Sequence, residues 1–140
     1  MPPREGDRTL EDAPRRQRRV PLVEPLADGG ALAVDEALSA LAHPTRRCVL
    51  YYLKDEEVAD LEELGAVVAA MKSGTPPDDV PADERDRMAA ELAHTHLPKL
   101  DEALFVEYDR RSQTVRYADP PAMHNMFLLL LSQFEGKDAW

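Results

Sequence analysis

The sequence predicts a mainly α-helical domain with a small β-hairpin and an added C-terminal helix. Apolar residues recur at helical spacing in five segments between residues 34 and 136. Two β-prone runs, "LFVEYD" and "TVRY", are separated by only four polar residues. Residues 1–30 are rich in Pro, Arg, Asp and Glu and show no periodicity, so we interpret them as a disordered N-terminal tail.

The first two predicted helices lie on either side of Pro44. The stretch "VDEALSALAHP" begins near Val34, with Asp35 as its N-cap and with Leu38 and Leu41 on one face. Pro44 suits the first turn of the next helix, where a missing N–H costs nothing. The apolar residues of this second helix are Cys48, Val49, Tyr52 and Leu53.

The third and fourth predicted helices are separated by a loop rich in Gly and Pro, residues 72–82. Asp60 followed by Glu63 reads as a capping box that opens the third helix. Its buried stripe is Leu61, Leu64, Val67, Val68 and Met71. The fourth helix begins near Asp83 and runs through Pro98. Its predicted stripe is Ala90, Ala93, Leu97, Leu100 and Leu104.

The last predicted helix, "PPAMHNMFLLLLSQFEG" at residues 120–136, is apolar on nearly all sides. A helix of this kind needs burial on more than one side. In so small a protein, the expected second side is another copy of the chain. The predicted dimer-interface residues are Met123, Met126, Phe127, Leu130, Leu131 and Phe134.

Three helices followed by a two-stranded wing make a winged helix-turn-helix. The segments "ALSALAHPTRRCVLYYL", "DLEELGAVVAA" and "HTHLPKLDEALFVEYDRRSQTVRY" together resemble winged-helix transcriptional regulators of the ArsR-like kind. They look most like a haloarchaeal group of winged-helix domains, over roughly residues 34–118.

That resemblance implies a homodimer that binds double-stranded DNA. It assigns Asp60–Met71 to the first helix of the helix-turn-helix and Asp83–Leu104 to the recognition helix. Phe105–Tyr117 would be the wing, and the C-terminal helix would pair two subunits. It implies no particular effector.

Three features depart from the usual pattern of such regulators. About ten residues separate the two central helices, where the usual turn has three or four. Leu104 stands near the place of a glycine that often ends the recognition helix, and a left-handed leucine is costly, so we expect this corner to be built differently. The turn of the wing contains Ser112 and Gln113 in place of glycine.

The predicted DNA-binding surface follows from placing Leu97 at the centre of the buried face. Thr95, Lys99 and Met88 then point away from the core. The predicted contacts are Arg87, Met88, Glu91, His94, Thr95 and Lys99 on the helix, and Arg110, Arg111 and Arg116 on the wing. This helix has six acidic and three basic residues, a net charge of −3 that opposes phosphate. The alternative is therefore a winged-helix module that binds protein and not DNA.

The composition favours the cytoplasm of a halophile over an ordinary acidic mesophile protein, and the resemblance implies that the halophile is an archaeon. The chain has 17 basic and 27 acidic residues, a net charge of −10, and only four lysines. Concentrated salt screens the self-repulsion of such a surface. No signal peptide is evident, and "MFLLLL" is too short to span a bilayer, so we expect a cytoplasmic protein without a membrane partner.

Metal and catalytic chemistry are not predicted. On a helix, His94 and His96 project about 200° apart and cannot share one ion. We expect His96 to pack at the core edge and His94 to be partly exposed. The lone Cys48 predicts no intrachain disulfide. No Gly-rich phosphate loop or nucleophile elbow is present, so we expect neither an enzyme nor a cofactor.

Overall fold

The computed structural model describes residues 31–136, which form a mainly helical arrangement with a small three-stranded antiparallel sheet. The predicted N-terminal tail lies outside the described residues. The chain divides into two units between Glu36 and Ala37, and every contact below lies within the second. None of the described helices is long and apolar enough to cross a membrane.

The elements follow one another in the order helix, helix, strand, three further α-helices, hairpin and helix. Their bounds are α1 Ala31–Leu41, α2 Pro44–Glu56, β1 Val58–Asp60, α3 Leu61–Ser73, α4 Ala82–Glu91, α5 Leu97–Glu102, β2 Val106–Asp109, β3 Thr114–Tyr117 and α6 Ala122–Glu135.

The starts of α2 and α3 are marked by side chains that accept hydrogen bonds from free backbone N–H groups. As predicted, α2 begins at Pro44, and Nδ1 of His43 accepts a hydrogen bond from the Thr45 N–H at 3.2 Å. The carboxylate of Asp60 accepts one from the Glu63 N–H at 2.7 Å, which caps α3. The prediction that Asp35 caps α1 is wrong, because α1 begins at Ala31 and Asp35 lies inside it.

The sheet contains one strand that the sequence did not predict. β3 lies in the middle, with the strand order β1-β3-β2. β2 and β3 form the predicted hairpin, with Glu107 opposite Arg116, while β1 pairs with the other edge of β3. β1 has only three residues, too few for an alternating pattern to be recognised. Gln113 provides a positive φ of 59° in the hairpin turn.

The predicted fourth helix is a continuous helical path with a π-helical turn in its middle. We call α4, the turn Leu92–His96 and α5 together the interrupted helix. The Leu97 N–H donates to the Leu92 carbonyl, five residues back. Pro98 follows directly. In a regular α-helix its ring would clash with the carbonyl of His94, and the wider turn relieves that contact.

The π turn changes which residues of the interrupted helix are buried. Leu97 and Leu100 are buried as predicted, but Ala90 and Leu104 are exposed. Leu92 is fully buried instead. The wider turn advances less per residue, so the phase taken from Leu97 does not extend back through α4.

The core lies between α2, α3, the interrupted helix, the sheet and the inner face of α6. Its largest fully buried side chains include Phe105, Leu50, Leu53, Leu64, Leu92, Leu97, Leu100 and Leu128. At Gly65 of α3, an added Cβ would lie 2.9 Å from the carbonyl oxygen of Arg85 and 3.1 Å from the Cβ of Ala89. Glycine therefore permits α4 to approach α3 closely.

Candidate functional site

The exposed face of the interrupted helix is the first part of the candidate site. Arg87 and Glu91 lie one turn apart on α4, Thr95 lies in the π turn and Lys99 lies on α5. Arg87 and Thr95 are exposed, as is the neighbouring His94, and Lys99 is half-buried. The predicted outward direction of Thr95 is therefore confirmed.

One predicted contact residue on this helix, Met88, does not point into solvent. Met88 is half-buried and packs against the core and against the small cluster around Val80. The prediction is wrong because it carried the phase of Leu97 back across the π turn. Met88 supports the packing of α4 on α3 and offers little surface to a ligand.

The corner between the interrupted helix and the hairpin is a Schellman motif with leucine in the left-handed position. The Phe105 N–H donates to the Leu100 carbonyl at 2.9 Å, and the Leu104 N–H to the Asp101 carbonyl at 3.0 Å. Leu104 has a φ of 70°. The expectation that this corner avoids a left-handed leucine is thus wrong, although that conformation costs about 1–2 kcal/mol.

The hairpin is held against the end of the interrupted helix by one carboxylate. Oδ2 of Asp101 accepts a hydrogen bond from the Tyr108 N–H at 2.9 Å. On the outer face of the hairpin, Nε of Arg116 lies 3.7 Å from Oε1 of Glu107, which offsets the charge of this arginine. At the turn, Arg110 and Arg111 are exposed and make no ion pair within residues 31–136. They are the accessible cations of the hairpin.

The charges of α4 are also partly balanced within the helix. Nη2 of Arg87 lies 3.6 Å from Oδ2 of Asp83, one turn earlier, and both side chains are mostly exposed. Such exposed pairs contribute little to stability. The pair nevertheless reduces the positive potential that Arg87 presents to an anion.

Behind this exposed face lies a buried polar cluster around His96, which is only 2% exposed. Nη1 of Arg46 lies 3.2 Å from Nδ1 of His96, and Nε2 of His96 lies 2.9 Å from Oε2 of Glu91. Because arginine only donates, Nδ1 must accept and Nε2 must carry the proton. The hydrogen bond from His96 is the main reason that the pKa of Glu91 lies below its usual value.

A second histidine stacks on this cluster. The rings of His43 and His96 have centroids 4.4 Å apart. Burial lowers the pKa of His43, and the proximity of His96, Arg46 and Lys72 lowers it further. Nζ of Lys72 also donates to the buried Thr45 hydroxyl at 2.6 Å. His94 is exposed while His96 is buried, as expected, and residues 31–136 contain no cluster of three or more metal-ligating side chains.

The C-terminal helix α6 presents an apolar stripe to solvent. Met126, Leu129, Leu130 and Phe134 are 60%, 51%, 56% and 80% exposed and follow helical spacing. Three of the six predicted interface residues lie in this stripe. The other three, Met123, Phe127 and Leu131, are half-buried against the domain's own core. Leu129 belongs to the stripe but was not predicted.

Polar contacts anchor α6 to the rest of the domain at both of its ends. Near its start, Nε2 of His124 lies 3.0 Å from the Ala103 carbonyl oxygen, and the Tyr117 hydroxyl donates to Asn125 at 2.6 Å. Burial raises the pKa of Tyr117 to about 12. At its end, Arg47 donates to both carboxylate oxygens of Glu135 at 2.9 Å.

Two adjacent arginines of α2 organise these contacts, and sequence reasoning gave them no role. Arg46 donates to the carbonyls of Ser39 and Ala40, and Arg47 to that of Leu41. These are carbonyls of the last turn of α1, which lack partners inside the helix. Arginines that follow a helix end within a few residues are suited to this role, and "HPTRR" carries that signal.

A comparison with protein families matches residues 38–116 to the family described as Domain of unknown function (DUF7344). The chain belongs to the DUF7344 family. The match runs from α1 to β3, so the DUF7344 segment includes the interrupted helix and the hairpin, and it ends before α6. Neither the curated proteins nor the solved structures contain a significant match to the chain.

Proposed function

We propose that this protein is a transcriptional regulator of a halophilic archaeon that binds double-stranded DNA as a homodimer. The observation that carries the proposal is the order helix, strand, helix, helix, strand, strand from α2 to β3, with β3 between β1 and β2. This order is typical of a winged helix-turn-helix. In that arrangement α3 and the interrupted helix form the helix pair, and the β2–β3 hairpin is the wing.

The interrupted helix supplies the base-reading surface in this proposal. His94 and Thr95 are exposed at its middle, where the π turn displays them side by side. A hydroxyl and an imidazole contact base edges in the major groove, and Lys99 reaches base edges or phosphates. Arg87 lies about two turns earlier, on α4, and contacts the backbone.

The wing supplies phosphate contacts through Arg110 and Arg111. Both are exposed at the hairpin turn, and the Asp101–Tyr108 hydrogen bond fixes the hairpin relative to the helix. A rigid connection allows the helix to enter the groove while the turn follows the backbone. Arg116 contributes less, because Glu107 lies opposite it in the sheet.

The homodimer rests on the exposed stripe of α6. A twofold axis pairs the same surface of both subunits, so a self-complementary apolar stripe is enough to form the interface. Met126, Leu129, Leu130 and Phe134 are apolar, contiguous and without polar interruption except Gln133. Clusters of large exposed apolar side chains mark interaction sites in proteins of this size.

The competing function is a winged-helix module that binds another protein. The net charge of −3 on the fourth helix favours this alternative, as do the pairs Arg87–Asp83 and Arg116–Glu107, which balance two of the predicted DNA-contacting arginines. DNA binding is still favoured by the unpaired wing-tip arginines and by salt. At 1 M salt the Debye length is about 3 Å, so repulsion between the helix and phosphates is largely screened.

Fluorescence anisotropy with DNA from the chain's own promoter, at molar KCl, tests the proposal. The double variant Arg110→Ala/Arg111→Ala should weaken binding and flatten its dependence on salt. Arg116→Ala is the matched control and should have a smaller effect. If the wild type forms dimers but does not bind, the regulator is refuted and the protein-binding module is favoured.

Analytical ultracentrifugation tests the dimer. Leu130→Asp should give a monomer, because it places a charge in the middle of the stripe, whereas Val58→Asp changes an exposed apolar residue of β1 and should leave the dimer intact. A monomeric wild-type protein would contradict the proposed interface. Phe127→Asp is a poorer test, since Phe127 also packs against the core.

A further inference from the structure

The side chains of Arg46, His96 and Glu91 form a chain that leads from the core to the exposed face of the interrupted helix. Arg46 is positive, His96 is neutral while its Nδ1 accepts from Arg46, and Glu91 is negative. The imidazole therefore lies between two opposite charges and forms a hydrogen bond with each of the charged groups. His96 is 2% exposed, whereas the side chain of Glu91 is 45% exposed.

This chain determines where the Glu91 carboxylate lies. Glu91 is exposed one turn after Arg87 on α4, and a free carboxylate there would repel phosphate. Its Oε2 is instead 2.9 Å from Nε2 of His96, at the edge of the core. The same hydrogen bond joins Glu91, the last residue of α4, to the last residue of the π turn. It therefore also closes the turn that displays Thr95.

We propose that His96 and Arg46 are positioning residues for the exposed face of the interrupted helix: they hold the Glu91 carboxylate against the domain and balance its charge. This inference rests on the proposed function for its consequence in DNA binding. Glu91 is then not a DNA contact but a residue kept away from the DNA.

Glu102 is the natural comparison for Glu91. It is a carboxylate on the same helix, it is exposed, and within the described part of the chain it makes no hydrogen bond or ion pair with another side chain. Its charge is therefore fully presented to an approaching phosphate. If the proposal is correct, the two glutamates differ in their effect on DNA binding although they have the same formal charge.

The first test does not involve DNA. Long-range ¹H–¹⁵N NMR spectra of the full chain at pH 7.5 should show His96 as the neutral tautomer with its proton on Nε2. In Arg46→Met this tautomer preference should be lost, and the amide signals of His94 and Thr95 should change with it. A His96 that carries its proton on Nδ1 would overturn the proposal.

The second test compares charge removal at the two glutamates by anisotropy with promoter DNA. Glu102→Gln should raise the affinity several-fold at reduced salt, because it removes an uncompensated repulsive charge. Glu91→Gln keeps an acceptor for His96 and should change the affinity much less at pH 7.5. Equal increases would overturn the proposal. If no form of the protein binds DNA, the proposed function fails, while the NMR result still decides whether the chain exists.

Discussion

The interrupted helix and the C-terminal helix distribute polar and apolar residues in opposite ways. The interrupted helix exposes charges and buries leucines together with His96, which has a partner at each ring nitrogen. The C-terminal helix α6 exposes Met126, Leu129, Leu130 and Phe134, while its buried residues are His124, Leu128 and Ser132. Each helix therefore buries a histidine, but only the interrupted helix buries its large apolar residues, whereas α6 exposes several of its own.

The difference shows that hydrophobicity alone does not decide which side of α6 faces the domain. Apolar residues are available on nearly every side of this helix, so polar partners determine its rotation. His124, Asn125 and Glu135 each find a specific partner on the domain. Once these bonds are made, the remaining apolar residues form the outer stripe.

The largest expected difference in the free energy of unfolding is between substitutions of two leucines, one on the interrupted helix and one on α6. Leu100 is fully buried and Leu130 is 56% exposed. Leu100→Ala should lower the free energy of unfolding by about 2–5 kcal/mol, because it leaves a cavity. Leu130→Ala should change it by less than about 0.5 kcal/mol in the monomer. Urea unfolding at low protein concentration measures both values. Similar losses would show that the outer stripe is already packed within one chain.

A smaller effect is expected from a carboxylate on each helix. Glu135→Ala removes both hydrogen bonds from Arg47, whose side chain is only 17% exposed, and also the one from the Tyr51 hydroxyl. Loss of such charged hydrogen bonds should cost about 1.5–3 kcal/mol. Glu102→Ala on the interrupted helix is the control and should be nearly neutral. Equal stabilities would mean that Glu135 does not hold α6 in place.

The residues that follow α5 and α6 invite opposite substitutions, and each substitution should change the free energy of unfolding by about 1 kcal/mol. Leu104 and Gly136 both have a positive φ, 70° and 67°. Leu104→Gly should stabilise the protein by about 1 kcal/mol, because glycine adopts this conformation without a steric penalty. Gly136→Leu should destabilise the end of α6 by a similar amount. Thermal unfolding of both variants checks the signs, and a destabilised Leu104→Gly would mean that the leucine side chain makes a stabilising contact.

The smallest expected effect is on the pH dependence of stability. It arises from the polar cluster around His96 and not from the apolar stripe of α6. The pKa of His43 is lowered by burial and by neighbouring positive charge. The unfolded chain therefore binds this proton first, and stability should decline as the pH falls below about 6.5. Glu91, whose pKa is also lowered, should contribute a further loss below about pH 4.5. The unfolding midpoint of His43→Asn should depend less on pH between 7 and 5. An equal dependence would assign the effect to another group.

Most helices were predictable because the residues that signal their starts and ends lie at those ends in the sequence. Pro44 marks the start of α2, Asp60 the start of α3 and Gly136 the end of α6. The hairpin was predictable for a similar reason, since two β-prone runs flank a short polar turn. These signals depend on residues close in sequence, which composition and spacing can represent.

The features that were missed depend on residues distant in sequence. β1 exists because β3 offers it an edge, and three residues carry no pattern of their own. His96, the last residue of the π turn, pairs with Arg46, fifty residues earlier. Its Nε2 lies 2.9 Å from the carboxylate of Glu91, which spacing along the helix did not predict. Spacing along one helix cannot reveal a partner on another.

The π turn also has a consequence for insertions and deletions. Five residues, Leu92–His96, occupy a turn that a regular α-helix completes with fewer. Removing one residue there would allow an unbroken α-helix. The ring of Pro98 would then clash with the backbone carbonyl four residues earlier. In addition, every side chain before the deletion would rotate relative to Leu97 and Leu100. Relatives in which this segment is one residue shorter should therefore also have lost the proline. Length and proline at this position should vary together, even where the leucines on both sides stay the same.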